Sequence, residues 1–279
     1  MTESPRAARP PELAPDGGSA PVAVAPVIER VPILGVPIAL TDYDGAMDWM
    51  DAHVTSRVPV YVTASAVHLV MTTRSDAEAR AATLGAQLIV PDGQPLVWAL
   101  RLLGHRLDAR VYGPDLMAAY CARSAATGVS MYLYGGRSPE ALDRLTSALR
   151  ERFPGLRIVG GHSPPFRELS DAERDAVATE INASGADVVW VGTGQPKQEK
   201  WMAQMRPRLA APVLVGVGAA FDFHAGLVAQ APPWMQSRGL EWVFRLRQEP
   251  RRLWRRYASD NPRFILGFAR QYLAYRRGR

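Results

Sequence analysis

The stretch Asp187-Val188-Val189-Trp190-Val191-Gly192-Thr193-Gly194-Gln195-Pro196-Lys197-Gln198-Glu199-Lys200-Trp201 decides the fold class. Its first apolar run has no polar face, so it reads as a strand buried on both sides. Glycines then turn the chain, and a polar, helix-compatible run follows. Strand, glycine turn and helix in that order form the repeating unit of a parallel sheet.

Outward from this unit the alternation recurs. The pattern predicts further strands at Pro59 to Thr63, Gln87 to Val90, Ser130 to Tyr134, Arg157 to Gly160 and Pro212 to Val217, with helical stretches between them. We read residues 29–232 as an α/β core, a Rossmann-like, mostly parallel sheet flanked by helices. The strands end in small or polar residues: Thr63-Ala64-Ser65, Pro91-Asp92-Gly93, Gly135-Gly136, Gly192-Thr193-Gly194 and Gly218 to Asp222. Open parallel sheets bind ligands at those carboxyl ends.

The two ends of the chain have a different composition. Residues 1–28 carry six prolines among Ala, Gly and acidic residues, too few large apolar groups to fold, and read as a disordered extension. From residue 233 to 279 Trp, Arg and Pro mix densely with no further strand, which predicts a helical appendage. Residues 238–279 hold twelve Arg against Glu241, Glu249 and Asp260, a local balance of +9, so the remainder carries about −3 of the total +6. Charge gathered at one end is an address for an anionic partner, whether lipid head groups, phosphates or nucleic acid.

At 279 residues with 47% hydrophobic positions, the chain has material for a sizeable core. No run reaches the roughly 18 apolar residues of a spanning helix, and no apolar segment backs the N-terminal basic residues as in a signal peptide. The single cysteine, Cys121, reads as a small core residue in a reducing compartment. The five histidines are dispersed without ligand spacing, so we expect no protein-built metal centre.

Three strand ends could carry chemistry. Asp92 follows a hydrophobic strand directly and is either a general base or a cap for the helix starting near Gln94. The turn Gly192–Gly194 leads to a helix N-terminus where an anion could sit. Lys197 and Lys200 there are the only lysines, against 31 arginines, which sets the segment apart; a solvated helix start is the alternative. Asp222 could accept hydrogen bonds from a ribose or a base, whereas His224 reads as a structural partner. In the appendage, Arg and aromatic residues interleave at helical spacing. That pattern suits a membrane surface or a diphosphate clamp, unless the aromatics pack on the core and the arginines are solvated.

Taken together, Pro91-Asp92-Gly93, Arg110-Val111-Tyr112-Gly113-Pro114-Asp115, Gly194-Gln195-Pro196-Lys197-Gln198-Glu199, Phe221-Asp222-Phe223-His224-Ala225-Gly226 and Glu241-Trp242…Arg245…Glu249-Pro250 resemble the WecG/TagA/CpsF family, glycosyltransferase family 26. The resemblance runs in order from about Val31 to about Phe268. It implies an inverting transferase, requiring neither metal nor cofactor, that moves a hexose-type sugar from a UDP-sugar to an undecaprenyl-diphosphate-linked saccharide in bacterial cell-surface or exopolysaccharide synthesis. By the same resemblance, Asp92 is the catalytic base, with Thr63 beside it in the family's Thr-x-Asn segment. Ser65 stands where the family usually has Asn, a shorter side chain that reaches less far. Arg110, Gln198 and Asp222 match substrate-site positions, and Arg245, Arg252 and Arg255 match appendage arginines that close over the leaving diphosphate. The implied setting is the cytoplasmic face of the plasma membrane, with the protein peripheral on an anionic surface, no nucleic-acid partner and self-association possible.

Two rival readings remain at this stage. A nicotinamide-dependent oxidoreductase would use the strand-Gly-helix turns, but the chain lacks a G-x-G-x-x-G with an acidic residue about 20 positions on. A nucleic-acid binder would use the Arg-aromatic tail to track phosphates and stack on bases.

Overall fold

A computed structural model describes residues 25–278, the side chain of Arg252 excepted; the expected extension therefore lies outside the described residues up to residue 24. The chain opens with a hairpin, β1 (Arg30–Ile33) and β2 (Val36–Ala39), then runs α1 (Tyr43–Ser56), β3 (Val60–Ser65), α2 (Val67–Thr72), α3 (Ala77–Leu84), β4 (Leu88–Pro91), α4 (Gln94–Leu102), α5 (Gly113–Thr127) and β5 (Ser130–Gly135). It continues through α6 (Pro139–Arg152), β6 (Arg157–His162), α7 (Asp171–Ser184), β7 (Val188–Gly192), α8 (Lys197–Met205), β8 (Val213–Gly216) and α9 (Ala220–His224). Three helices finish it: α10 (Pro233–Ser237), α11 (Glu241–Gln248) and α12 (Pro250–Arg277).

All six expected strands join one six-stranded sheet in the order β4-β3-β8-β7-β5-β6, and every pairing in it is parallel. Successive strand residues point to opposite faces, and each face has its own core. Val60, Val62, Val188, Trp190, Val213 and Val215 meet α1, α5, α6 and α9 on one side. Tyr61, Ile89, Val189, Val191 and Leu214 meet α4, α7, α8 and the β1–β2 hairpin on the other. Cys121 is fully buried in the first of these cores.

The antiparallel hairpin was not legible as strands. Each arm has four residues, and Pro32 stands directly opposite Pro37, so neither looks like a strand that needs its N–H groups. In a two-stranded ribbon every residue lies on an edge, where the missing donors are tolerated. Leu34 and Gly35, with φ of 51° and 89°, make the tight turn that such ribbons favour.

Helix starts follow local chemistry. Asp42, Asp76 and Ser138 each accept a backbone N–H from the first turn of α1, α3 and α6, and α7 opens on a reciprocal capping box between Ser170 and Glu173. The C-terminal helices break at Glu249 (φ −129°, ψ 59°), because a residue before proline is pushed out of the helical region. Leu253, Phe264 and Phe268 of α12 are buried, and both phenylalanines belong to the second core cluster.

Candidate active site

The carboxyl ends of β3, β4, β5, β7 and β8 open into a cleft of about 2390 Å³, which is also lined by Arg238, Gly239 and Leu240 and by residues of α11 and α12. Ala64, Asp92, Gly136, Gly192–Gly194 and Val217–Gly218 reach it from the sheet. Two of these ends approach each other closely: a Cβ on Gly135 would lie 2.7 Å from the Gly192 carbonyl carbon, and one on Gly192 would lie 2.4 Å from the Phe221 ring. Glycine at these positions therefore lets β5, β7 and α9 converge at the cleft floor.

Asp92 follows β4 and stays partly open to the cleft. Its Oδ1 accepts the Gly113 N–H at 2.7 Å, and its own N–H donates to the Ser65 carbonyl at 2.8 Å. The N-cap of α4 is Gly93, which makes no side-chain cap bond. Of the two readings of Asp92, the helix cap is thus set aside: its carboxylate turns to the start of α5 instead. Burial pushes its pKa up to about 6, opposed by the charges of Arg110 and Arg245 and by the Gly113 N–H, and assisted by Glu241. A carboxylate held near that value is ionised at neutral pH yet basic enough to take a proton.

Arg110 sits beside it, its Nη1 3.4 Å from the Asp92 carbonyl oxygen. It forms a 2.7 Å ion pair with Glu241, donates to Gln236 Oε1 at 2.9 Å, and stacks 4.0 Å from the Tyr112 ring centroid. The Tyr112 hydroxyl donates to the same Glu241 at 2.9 Å. Helices α10 and α11 are therefore tied to the two residues flanking the Asp92 carboxylate. Gln236 carried no sequence signal, since the pairing depends on α10 folding back over residues 126 positions away. Glu241 lay within a quoted motif, but nothing in that motif named its partner.

On the opposite flank, Asp222 lines the cleft and takes two 2.9 Å hydrogen bonds from Arg137. Arg137 also stands 3.7 Å from Glu249. It was missed because the Gly135-Gly136 strand end before it was read for its glycine backbone, as a phosphate or ribose contact or a tight turn, with no role given to the side chain that follows. Arg245 lines the cleft with its guanidinium 5.8 Å from the Phe223 ring centroid, and its charge reaches Asp92. Arg255 does not line the cleft; it lies 5.5 Å over the ring of its neighbour Trp254. The side chain of Arg252 lies outside the described residues.

Three further candidates stand behind the cleft wall rather than in it. Thr63 is fully buried and donates to Glu199 Oε1 at 2.6 Å. Gln198 donates to the same oxygen at 2.9 Å and accepts the Gly218 N–H at 2.9 Å, so both ends of its amide are engaged by the protein. Ser65 is fully buried, and its Oγ has no hydrogen-bond partner. Thr63 and Gln198 thus fix the backbone of the β3 and β8 ends around Glu199, whose carboxyl burial holds above the usual carboxylate range. Glu199 itself sat inside the opening motif, read there as part of a helix start. His224 Nε2 lies 2.9 Å from the Pro114 carbonyl, the structural bond expected of it. Among the described residues no group of three or more His, Cys, Asp or Glu has an arrangement that could hold a metal ion.

The glycosyl transferase WecG/TagA/CpsF family matches residues 31–278. The chain belongs to this family. Membership makes it a glycosyltransferase of cell-surface polysaccharide synthesis and decides against the oxidoreductase. It implies a nucleotide-sugar donor and a lipid-linked acceptor. In this WecG/TagA/CpsF transferase the cleft is lined by the Asp92 carboxylate, by Arg110, Arg137 and Arg245, and by glycine turns. Among the described residues no helix is long and apolar enough to cross a membrane.

Proposed function

We propose that this chain transfers a hexose-type sugar, with inversion, from a UDP-sugar to a polyprenyl-diphosphate-linked saccharide, and does so as a peripheral protein on the inner face of the plasma membrane. The carrying observation is Asp92, partly open to the cleft, oriented by the Gly113 N–H and flanked by Arg110. Asp92 takes the proton of the acceptor hydroxyl as its oxygen attacks the donor's anomeric carbon. The bond from that carbon to the β-phosphate oxygen breaks, and its electron pair leaves on UDP. A single displacement inverts the anomeric centre.

Negative charge develops on the departing diphosphate, and guanidinium groups already in place stabilise it without reorganising. Arg245 is the cleft-lining member of the appendage set, and Arg137 lines the same cleft paired with Asp222. On this reading no metal ion or other cofactor is required, because arginine supplies the positive charge.

The test is to incubate the protein with a panel of UDP-sugars and a polyprenyl-diphosphate-linked sugar, following UDP release and the product's anomeric configuration. We expect one UDP-sugar to be consumed with inversion, undiminished by a chelator. Retention of configuration, transfer only from another nucleotide's sugar, or loss of activity on chelation would each overturn the corresponding part.

A further inference from the structure

The cleft has a chemically distinct extension that the sugar and diphosphate do not account for. Leaving the Asp92 carboxylate, it follows α4, where Trp98 and Leu102 are one helical turn apart on a single face. Ile265, Phe268 and Tyr272 of α12, whose spacing also puts them on one face, line the same cleft, and the Tyr275 hydroxyl bonded to the Leu103 carbonyl brings α12 alongside the end of α4. The result is an apolar groove between two helices, about 13 Å long from the length of α4.

Both of its ends are defined. Near the catalytic carboxylate, Gly239 packs so closely on Trp98 that a Cβ there would lie 2.7 Å from the indole, which sets Arg238 at the groove's mouth. At the far end the Tyr275 hydroxyl donates to the Leu103 carbonyl and ties α12 to the end of α4. Despite those ties the groove is not filled from within: Trp98 is 44% exposed, Leu102 54% and Ile265 63%. Large apolar side chains left open along a ligand cleft mark a surface that awaits an apolar ligand.

We propose that the groove between α4 and α12 binds the first isoprene units of the acceptor's polyprenyl chain. This rests on the reading of the acceptor as a polyprenyl diphosphate. Such an acceptor is linear, with sugar, then diphosphate, then hydrocarbon. The cleft presents its complements in the same order: Asp92, then Arg238 beside Gly239, then the apolar strip that begins at Trp98, while Arg245 is left to the donor's diphosphate. A chain seated there fixes the direction from which the acceptor sugar reaches the carboxylate. The lipid then contributes specificity, not only attachment to a bilayer.

The experiment compares binding of dimethylallyl, geranyl and farnesyl diphosphate to the full chain by calorimetry, below their critical micelle concentrations and without vesicles. Dissociation constants should tighten at least tenfold from one isoprene unit to three. In Leu102→Gln and Ile265→Gln, both at exposed helical positions where Gln is tolerated, that tightening should shrink to threefold or less. Equal affinity across the series, or unaltered tightening in both variants, would overturn the proposal. So would concentration-dependent dimerisation that Leu102→Gln breaks while farnesyl diphosphate binds no tighter, since the groove would then belong to a second copy. Tightening with chain length in a protein that transfers no sugar to any prenyl-diphosphate acceptor would uphold the groove and sink the proposed reaction.

Discussion

The burial that pushes Asp92 up to about 6 links activity and stability at one residue. As a base it must be ionised, so kcat/KM should rise with pH through an acid limb near 6 and then level. Asp92→Asn should lower turnover by at least about 100-fold, the scale of a lost general base, while UDP affinity changes less than twofold. The stability sign is opposite. A folded pKa above the unfolded value favours the fold below about pH 4, and that advantage is lost as pH rises through about 6. At pH 7.5 the charge therefore destabilises the fold, and Asn, which still accepts the Gly113 N–H, should raise stability by about 1 kcal/mol in urea titration. A wild-type rate, or no gain in stability, would count against the role. Thr63 makes a contrasting case. Its hydroxyl is buried on Glu199 away from the cleft, so Thr63→Val should cost about 1–3 kcal/mol of stability. KM for the donor should stay within threefold; a large rise in KM at intact stability would return Thr63 to the substrate.

At the scale of elements, α11 is the part of the C-terminal segment whose side chain reaches both Arg110 and Tyr112 beside Asp92. Its first residue, Glu241, holds Arg110 and Tyr112, and its negative charge is one of the influences that raise the Asp92 pKa. Glu241→Gln removes that charge and leaves an acceptor for the Tyr112 hydroxyl. The acid limb of the kcat/KM profile should then move to lower pH by several tenths of a unit, because Arg110 now acts on Asp92 unopposed. A limb that stays in place would mean that α11 packs near the carboxylate without influencing it. Helix α12 carries two different kinds of residue along its length. Leu253, Phe264 and Phe268 are buried in the body of the protein, whereas Ile265, Leu266 and Leu273 remain exposed. The interleaving of Arg and aromatics thus divides into residues that pack and residues that face outward, and a helical period of 3.6 is what separates them.

At the scale of the whole molecule, positive charge is concentrated in the last 42 residues, with a slightly negative remainder. Co-sedimentation should capture the protein on anionic vesicles, far less on neutral ones, and release it as salt shortens the Debye length from about 10 Å at 0.1 M to about 3 Å at 1 M. Salt-resistant capture on neutral vesicles would make the association apolar rather than electrostatic. The amino-acid order alone determined the parallel sheet, because a strand buried on both faces must be continuously apolar, and Asp187–Val191 and Pro212–Val217 show that directly. It also marked Asp92 and the glycine turns, since strand ends in such sheets are where ligands bind. What it left open was every pairing between distant segments. Pro32 and Pro37 concealed a hairpin whose donors need no partners. Gln198, Thr63 and Ser65 lie within recognisable motifs yet face inward, and which way a side chain turns depends on how the helices pack around it. Arg137 meets Asp222 across 85 residues and Arg110 meets Glu241 across 131, through ion pairs that only the packed helices bring within reach. Local pattern sets the elements and their order; the assembly of the site is decided by long-range packing, because its charges come from segments that touch only once the core has formed.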